Sequence, residues 1–203
     1  MLPVKRPNLR LTPQARRRQI AEAALGCLQE VGHSGLTARR VAAKAGLSLG
    51  HITYHFKDMA QVLAEAFVLA AQKVQAAGQT ALAQQGGTPA ERLERYLRAG
   101  FDGDLMAPAQ LRLRVDLWSA ALMRPDIAQI ERDLYNAHRG NIERLLDQMA
   151  ADYAAERIPA VADMIMATLD GLWLDWLRRG DAAAVRNGLD GCVLFARLRL
   201  GGS

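Results

Sequence analysis

The stretch from Thr37 to Phe56 reads TARRVAAKAGLSLGHITYHF and carries the signals for two short helices joined by a tight turn. Thr37 is placed to cap the first helix with its hydroxyl, and Gly46 stands where a left-handed residue would end it. Ser48 is placed to cap the second helix, whose apolar residues Leu49, Ile52 and Phe56 are expected to point into a core. This is the pattern of a helix-turn-helix, which places its second helix in the major groove of DNA.

Several residues of this stretch have no hydrophobic role and are basic, ring-bearing or small. They are Arg39, Arg40, Lys44, Gly50, His51, Tyr54 and His55. A generic pair of surface helices would also expose Arg and His, so the pattern needs independent support from the rest of the chain.

The distribution of charge gives that support. Residues 1–57 contain ten Lys and Arg against two Glu, a net +8, while the remaining residues carry 16 basic and 19 acidic side chains, a net −3. Arg16, Arg17 and Arg18 follow the helix start at Thr12-Pro13, where the helix dipole disfavours cations. A nearby phosphate backbone would offset that cost, although solvent would also make it tolerable. The N-terminal part is therefore predicted to bind a polyanion.

The composition predicts an all-α fold, because aromatic and β-branched residues are scarce and no alternating strand pattern occurs. Capping residues and prolines predict nine helices, beginning near Thr12, Thr37, Ser48, Asp58, Thr88, Pro108, Pro125, Pro159 and Asp181. We expect a basic arm over residues 1–11, a three-helix DNA-binding domain with the helix-turn-helix over residues 12–57, and a larger helical C-terminal domain for ligand binding and dimerisation over residues 58–203.

No motif predicts catalysis, a cofactor or a metal site. His51 and His55 are spaced for a metal but fall on the predicted DNA-reading helix, and Cys27 and Cys192 are predicted to be buried thiols. The most hydrophobic stretch, residues 161–177, contains three Asp, which argues against a membrane span. Together with the lack of a signal peptide pattern, the lack of a membrane span predicts a soluble, cytoplasmic protein. The lack of a catalytic motif predicts that the protein is not an enzyme.

The last two predicted helices are apolar on two sides, so both sides should be covered. We predict that one stripe on each packs against a second copy, because a homodimer lets two recognition helices span two half-sites. The alternative is burial in the core of a larger monomer. The predicted dimerisation residues are Val161, Ile165, Leu169, Leu172, Trp176, Val185, Leu189, Cys192, Val193 and Ala196.

The whole chain resembles the TetR family of transcriptional regulators, through residues 37–56 and the preceding helix RRQIAEAALGCLQEVG at residues 17–32. The resemblance implies three DNA-binding helices, a body with an effector pocket, and a dimeric four-helix bundle built by the last two helices. Together with the charge pattern, it gives as candidate DNA contacts Arg16, Arg17, Thr37, Arg39, Arg40, Ser48, Leu49, Gly50, His51, Thr53, Tyr54, His55 and Lys57. Thr53 and Met59 depart from the family, which often has Tyr and Lys there, and Lys57 is the candidate substitute for the lost phosphate anchor.

A narrower similarity is to the choline-responsive BetI-like branch, carried by residues 118–125 and 170–174. Asp170 and Trp173 share a helix face, and a carboxylate beside indole rings suits a quaternary ammonium ion. The candidate effector-binding residues are Phe101, Trp118, Tyr135, Asp170 and Trp173. The alternative is that these aromatic residues belong to an ordinary core.

The predicted function is therefore a homodimeric repressor that binds a pseudo-palindromic operator and is released by a small-molecule effector in its C-terminal domain. The resemblance to the choline-responsive branch implies a cationic or quaternary ammonium effector. The alternative is a DNA-binding protein of the same fold that a protein partner controls. An aromatic, partly polar cavity would favour the first hypothesis, and a filled core would favour the second.

Overall fold

The computed structural model describes residues 11–201, in which the chain is helical and contains no strand, confirming the predicted all-α class. The nine α-helices of this part are α1 (Pro13–Val31), α2 (Ala38–Ala45), α3 (Leu49–His55), α4 (Met59–Ala83), α5 (Pro89–Ala99), α6 (Pro108–Met123), α7 (Pro125–Asp147), α8 (Ile158–Arg179) and α9 (Ala182–Leu200). Short 3-10 segments occupy His33–Gly35, Gly103–Met106 and Asp152–Arg157. None of the helices in the described range has the length and hydropathy that crossing a lipid bilayer requires.

The helix starts follow the capping residues. The Thr12 hydroxyl accepts a hydrogen bond from the Ala15 N–H, and Asp181 accepts from the first turn of α9. At the start of α5, Thr88 and Glu91 form a complete capping box, each side chain accepting from the other's backbone N–H. These bonds satisfy N–H groups that would otherwise lack a partner, which is why the predicted starts lie within one residue of the observed ones.

Two helices end earlier than their sequence pattern predicts. Helix α5 ends at Ala99 instead of near Gly103, where the chain enters a 3-10 turn with φ of 51° at Gly103. Helix α7 ends at Asp147 instead of near Tyr153. Shortly beyond it, the Ala151 N–H donates to the Leu200 carbonyl, so the backbone bonds to α9 instead of continuing α7.

The chain divides into two compact units, one up to Leu69 and one from Ala70 onward. The sequence predicted the boundary after Lys57, but the first turns of α4 bury Val62 and Phe67 and bond to α1 through Glu65. The predicted basic arm lies outside the described residues except for Leu11. The core of the second unit is built mainly by α5, α7, α8 and α9.

Candidate functional site

The helix-turn-helix of the N-terminal unit is formed by α2, α3 and the turn between them. Thr37 caps α2, its hydroxyl accepting from the Arg40 N–H at 3.3 Å. Gly46 adopts φ 66° and ψ 33°, and the following Leu47 N–H bonds back to Ala42 at 2.9 Å. Glycine takes this left-handed conformation without the steric cost that a β-carbon brings, so Gly46 sets the turn that separates the two helices.

Helix α3 buries one side and exposes the other. Ile52 and the adjoining Phe56 lie in the core of the unit, as predicted. Leu49 is exposed, contrary to the prediction that it points into the core, because it stands at the first turn of a helix of only seven residues. The exposed positions also include Ser48, Gly50, His51, Thr53 and Tyr54. The Tyr54 side chain is 83% exposed, so the recognition helix α3 presents a set of polar and ring-bearing groups with little intramolecular role.

The side chain of Ser48 holds His51 instead of capping the helix. Ser48 occupies the N-cap position of α3 but makes no side-chain bond to a backbone N–H. Its Oγ lies 2.9 Å from Nδ1 of His51, one turn along the helix. The prediction that the Ser48 side chain caps α3 is therefore wrong. Its contact with Nδ1 fixes the His51 imidazole and leaves Nε2 as the ring nitrogen that can bind an external partner.

The basic side chains of this unit differ in exposure and in their hydrogen bonds and ion pairs within the protein. Arg39 and Arg40 are exposed on α2, and Lys57 is exposed just after the end of α3. Arg16 is half-buried and donates to Gln19 at 2.8 Å, and Lys44 forms an ion pair of 2.5 Å with Glu30. Arg18 and Lys44 are exposed as well but pair with Glu22 and Glu30, so Arg39, Arg40 and Lys57 are the cations best placed to neutralise phosphates.

Arg17 is held inside the unit. Its guanidinium donates to the Glu65 carboxylate and to the His55 backbone carbonyl, and it lies 4.2 Å from the centre of the Phe56 ring. The sequence predicted a phosphate contact at this position, but the structure places the side chain between α1, the end of α3 and α4. The reason is a carboxylate 48 residues away, which local sequence patterns do not reveal.

His55 is only partly exposed at the end of α3. Burial lowers the pKa of its imidazole, and the positive charge of Arg16 lowers it further. The ring packs edge-on against Tyr54, with centroids 4.9 Å apart. A neutral His55 adds shape and hydrogen-bonding capacity to this surface without permanent charge.

A second site lies in the C-terminal unit, where aromatic rings surround an arginine. Phe101 stacks on Trp173 with ring centroids 4.5 Å apart. The Arg114 guanidinium lies 4.5 Å from the centre of the Trp173 ring and 5.8 Å from that of Trp118. The structure thus brings together three of the predicted effector-binding aromatic residues around a cation that the sequence reasoning missed.

Two carboxylates interact with the same arginine. Burial raises the pKa of Asp170, and the positive charge of Arg114 partly offsets that rise. Burial also raises the pKa of Glu131, and the negative charge of Asp170 raises it further. The positive charge of Arg114 lowers it. We call Phe101, Arg114, Trp118, Glu131, Asp170 and Trp173 the charged aromatic cluster. Tyr135, the fifth predicted effector residue, is half-buried on α7, and burial, followed by the charges of Asp163 and Asp170, raises the pKa of its hydroxyl.

The position of Arg114 could have been noticed in the sequence. Leu111, Arg114 and Trp118 are spaced three and four residues apart, so the arginine stands on an otherwise apolar stripe of α6. Glu131 gave no comparable signal, because a glutamate in a charged helix is usually solvated.

A hydrogen-bonded network borders this cluster. The Tyr96 hydroxyl lies 2.7 Å from Nδ1 of His138 and accepts a hydrogen bond of 3.0 Å from the Asn141 amide. Burial, together with the positive charge of Arg114, lowers the pKa of His138 to about 4. His138 is therefore neutral near pH 7 and adds no positive charge beside Arg114.

An open cleft of about 1050 Å³ also lies in the C-terminal unit, and Phe101 contributes to its wall. Trp176 lines the same cleft, and its indole N–H donates to the Met106 carbonyl at 3.0 Å. Since Phe101 also stacks on Trp173, this ring belongs to both the cleft and the charged aromatic cluster.

The predicted dimerisation stripe lies in the core of the protomer itself. Eight of its ten residues are buried there, and Leu172 and Trp176 pack against that core. The prediction therefore selected the wrong face of α8 and α9. The exposed apolar side chains of these helices are Met164, Leu177, Leu194 and Leu198.

Comparisons with known proteins find relatives of both units of the chain. Residues 20–66 match bacterial regulatory proteins of the tetR family, and residues 89–190 match the C-terminal part of BetI-type transcriptional repressors. The HTH-type transcriptional regulator BetI of Serratia proteamaculans (strain 568) is 29% identical over 181 residues, which cover 87% of each chain. A transcriptional regulator from Pseudomonas aeruginosa PAO1 has a crystal structure with a TM-score of 0.80 at 28% identity, covering 95% of this chain and 94% of that chain.

One further crystal structure, of a regulator from Saccharomonospora viridis, contains choline. Its TM-score is 0.73 at 21% identity, over 91% of this chain and 96% of that chain. At this identity the likeness shows the fold alone.

A helix-turn-helix unit followed by a larger helical unit defines a class, that of DNA-binding transcriptional regulators, and this confirms the prediction that the protein is not an enzyme. Within that class the chain belongs to the TetR family, and its C-terminal part is of the BetI repressor type. Both resemblances seen in the sequence are thereby confirmed.

Proposed function

We propose that the protein is a homodimeric repressor that binds a pseudo-palindromic operator and is released when a small organic cation binds the charged aromatic cluster. The observation that carries the regulatory part is the cluster itself, because rings, a guanidinium and two carboxylates in one partly buried place differ from an ordinary filled core. Such a group of charges is costly to bury and suits a ligand of matching charge.

The DNA-binding part of the proposal assigns roles by exposure. His51 and Tyr54 project from α3 and would contact base edges in the major groove, with Ser48, Leu49, Gly50, Thr53 and His55 lining the same surface. Arg39, Arg40 and Lys57 would contact phosphates and so supply affinity that does not depend on sequence. Thr37 at the start of α2 and Arg16 in the first turn of α1 would add contacts at the edge of this surface, and Arg17 would act by holding α3 in place.

The dimer would form on the exposed side of α8 and α9. Leu198 is 73% exposed, and Leu194 and Gly191 lie on the same face of α9. Within the described chain, nothing lies within 4 Å of the position that a β-carbon would take at Gly191 or at Gly171 of α8. Small residues beside exposed apolar ones allow a second pair of helices to approach closely, which supports a bundle formed by two copies.

The cationic nature of the effector is supported by the chemistry of the cluster. Indole faces attract cations, and carboxylates provide the counter-charge. The choline-bound regulator from S. viridis shares the fold and supports this class of ligand as the first to be screened. Choline and tetramethylammonium are therefore suitable probes.

The test is fluorescence anisotropy with DNA flanking the gene and with scrambled DNA at equal salt concentration. We expect the wild type to prefer one palindromic segment at one dimer per site. His51→Ala and Tyr54→Ala should each lower that preference about 5- to 150-fold, the range of 1–3 kcal/mol for a good base contact. Arg39→Ala should weaken binding to both DNAs equally and reduce the salt slope by about one.

A matched surface control is Arg132→Ala, an exposed arginine of α7 in the other unit. Equal losses on both DNAs for all three helix-turn-helix variants would refute the assignment of roles. Operator binding that no cation releases would favour control by a protein partner instead.

A further inference from the structure

The charged aromatic cluster already contains a cation where a ligand cation would be expected. The Arg114 guanidinium lies over the Trp173 ring at 4.5 Å, and the Phe101 ring stacks on the same indole with ring centroids 4.5 Å apart. A quaternary ammonium ion would need the same indole face. The site of the proposed effector is therefore occupied by a side chain of the protein.

The contacts of the Arg114 guanidinium would allow another cation to replace it. Among the residues that the structure describes, Asp170 and Glu131 act on the guanidinium through their charges and not through a side-chain hydrogen bond. Arg17, in contrast, is fixed by hydrogen bonds to a carboxylate and a carbonyl. Because no directed bond to either carboxylate would be broken, another cation could replace Arg114 at moderate cost.

The charges of the cluster leave room for a second cation. Arg114 contributes one positive charge, whereas Asp170 and Glu131 contribute two negative charges when both are ionised. His138 is neutral at physiological pH and does not close the difference. One monovalent cation would balance the cluster, and an anionic ligand would add to its excess of negative charge.

We propose that Arg114 is an internal competitor for the effector: a monovalent organic cation binds by taking the place of the guanidinium over Trp173, and Asp170 and Glu131 neutralise the ligand and the displaced arginine. This inference rests on the proposed function and specifies how its site is regulated. The affinity for the effector is then set partly by how strongly Arg114 holds the indole faces, and ligand binding moves a side chain of α6.

The test compares tetramethylammonium binding by the wild type, Arg114→Met and Arg114→Gln. Calorimetry and tryptophan fluorescence are suitable readouts, since two of the three tryptophans belong to the cluster. Both variants remove the competing charge at similar side-chain length, so we expect binding at least about tenfold tighter than in the wild type. Arg112→Met, an exposed arginine on the same helix, should bind like the wild type, and sodium chloride at equal ionic strength controls for salt.

Circular dichroism confirms that each variant is folded. The tetramethylammonium affinity of a folded Arg114 variant then tests whether the guanidinium competes with the ligand. Equal, weaker or absent binding in the folded Arg114 variants overturns the inference. The proposed function is judged separately, by release of the wild type from its operator with the same cation. If the wild type is released but the variants gain no affinity, the competitor role fails and the proposed function stands. If the wild type is not released although the variants bind more tightly, the cation subsite stands and control by this effector fails.

Discussion

Replacement of Arg17 by alanine separates two roles that this arginine could have. The side chain forms an ion pair with Glu65, donates to the His55 carbonyl and lies over the Phe56 ring. If these contacts are its role, Arg17→Ala should destabilise the N-terminal unit. If Arg17 contacts a phosphate instead, stability should not change and DNA affinity should fall equally on all sequences.

The expected loss follows from the three contacts. Arg17 and Glu65 are 30% and 34% exposed, so their ion pair contributes at most about 1 kcal/mol. The bond to the carbonyl contributes about 1 kcal/mol, and the ring contact contributes about 0.5 kcal/mol. Because one guanidinium makes all three contacts, the contributions overlap, and we expect about 2 kcal/mol in total.

Urea unfolding followed by circular dichroism measures this loss. The matched control is Arg18→Ala, whose side chain is 67% exposed and pairs with Glu22 one turn away, for which about 0.3 kcal/mol is expected. A double-mutant cycle with Glu65→Gln should give a coupling energy of up to about 1 kcal/mol. The positioning role would be refuted if Arg17→Ala were as stable as Arg18→Ala and if the salt dependence of its DNA affinity had a slope reduced by about one.

Two further predictions concern the C-terminal unit. The folded protein holds the pKa of His138 at about 4, against 6.5 for a free imidazole, so the unfolded chain binds a proton first as the pH falls. The stability difference between wild type and His138→Gln should therefore decline by about 3 kcal/mol between pH 7 and pH 4, measured by urea unfolding; a difference independent of pH would contradict it. Leu198→Glu should convert the proposed dimer to a monomer in sedimentation experiments, because it places charge on the proposed interface. Leu122→Glu, at a residue 87% exposed at the end of α6, should remain dimeric, and the reverse pattern would disprove this choice of face.

The sequence predicts the helices well because their starts depend on local bonds. Thr12, Thr88 and Asp181 bond to N–H groups two or three residues away, so their effect is visible in a short window. The helix-turn-helix is predictable for the same reason, since Thr37 and Gly46 act within the motif itself.

The parts that could not be predicted depend on distant partners. Both sides of α8 are apolar, so periodicity alone could not tell which side the protomer covers with its own core. The engagement of Arg17 requires Glu65, and the placement of Arg114 requires α6, α7 and α8 to be packed together. Such contacts form only when distant segments pack together, and the composition and spacing of a short stretch of sequence do not reveal them.

The way Arg17 holds the recognition helix has a consequence for how operator preference can evolve. The anchor uses a backbone carbonyl at His55 and the ring of Phe56, and none of the exposed side chains of α3 takes part in it. On the proposed assignment of base contacts, substitutions at His51, Thr53 or Tyr54 would therefore change which bases are read without weakening the support of the helix. New DNA specificities should be accessible through single exposed positions, at little cost to folding.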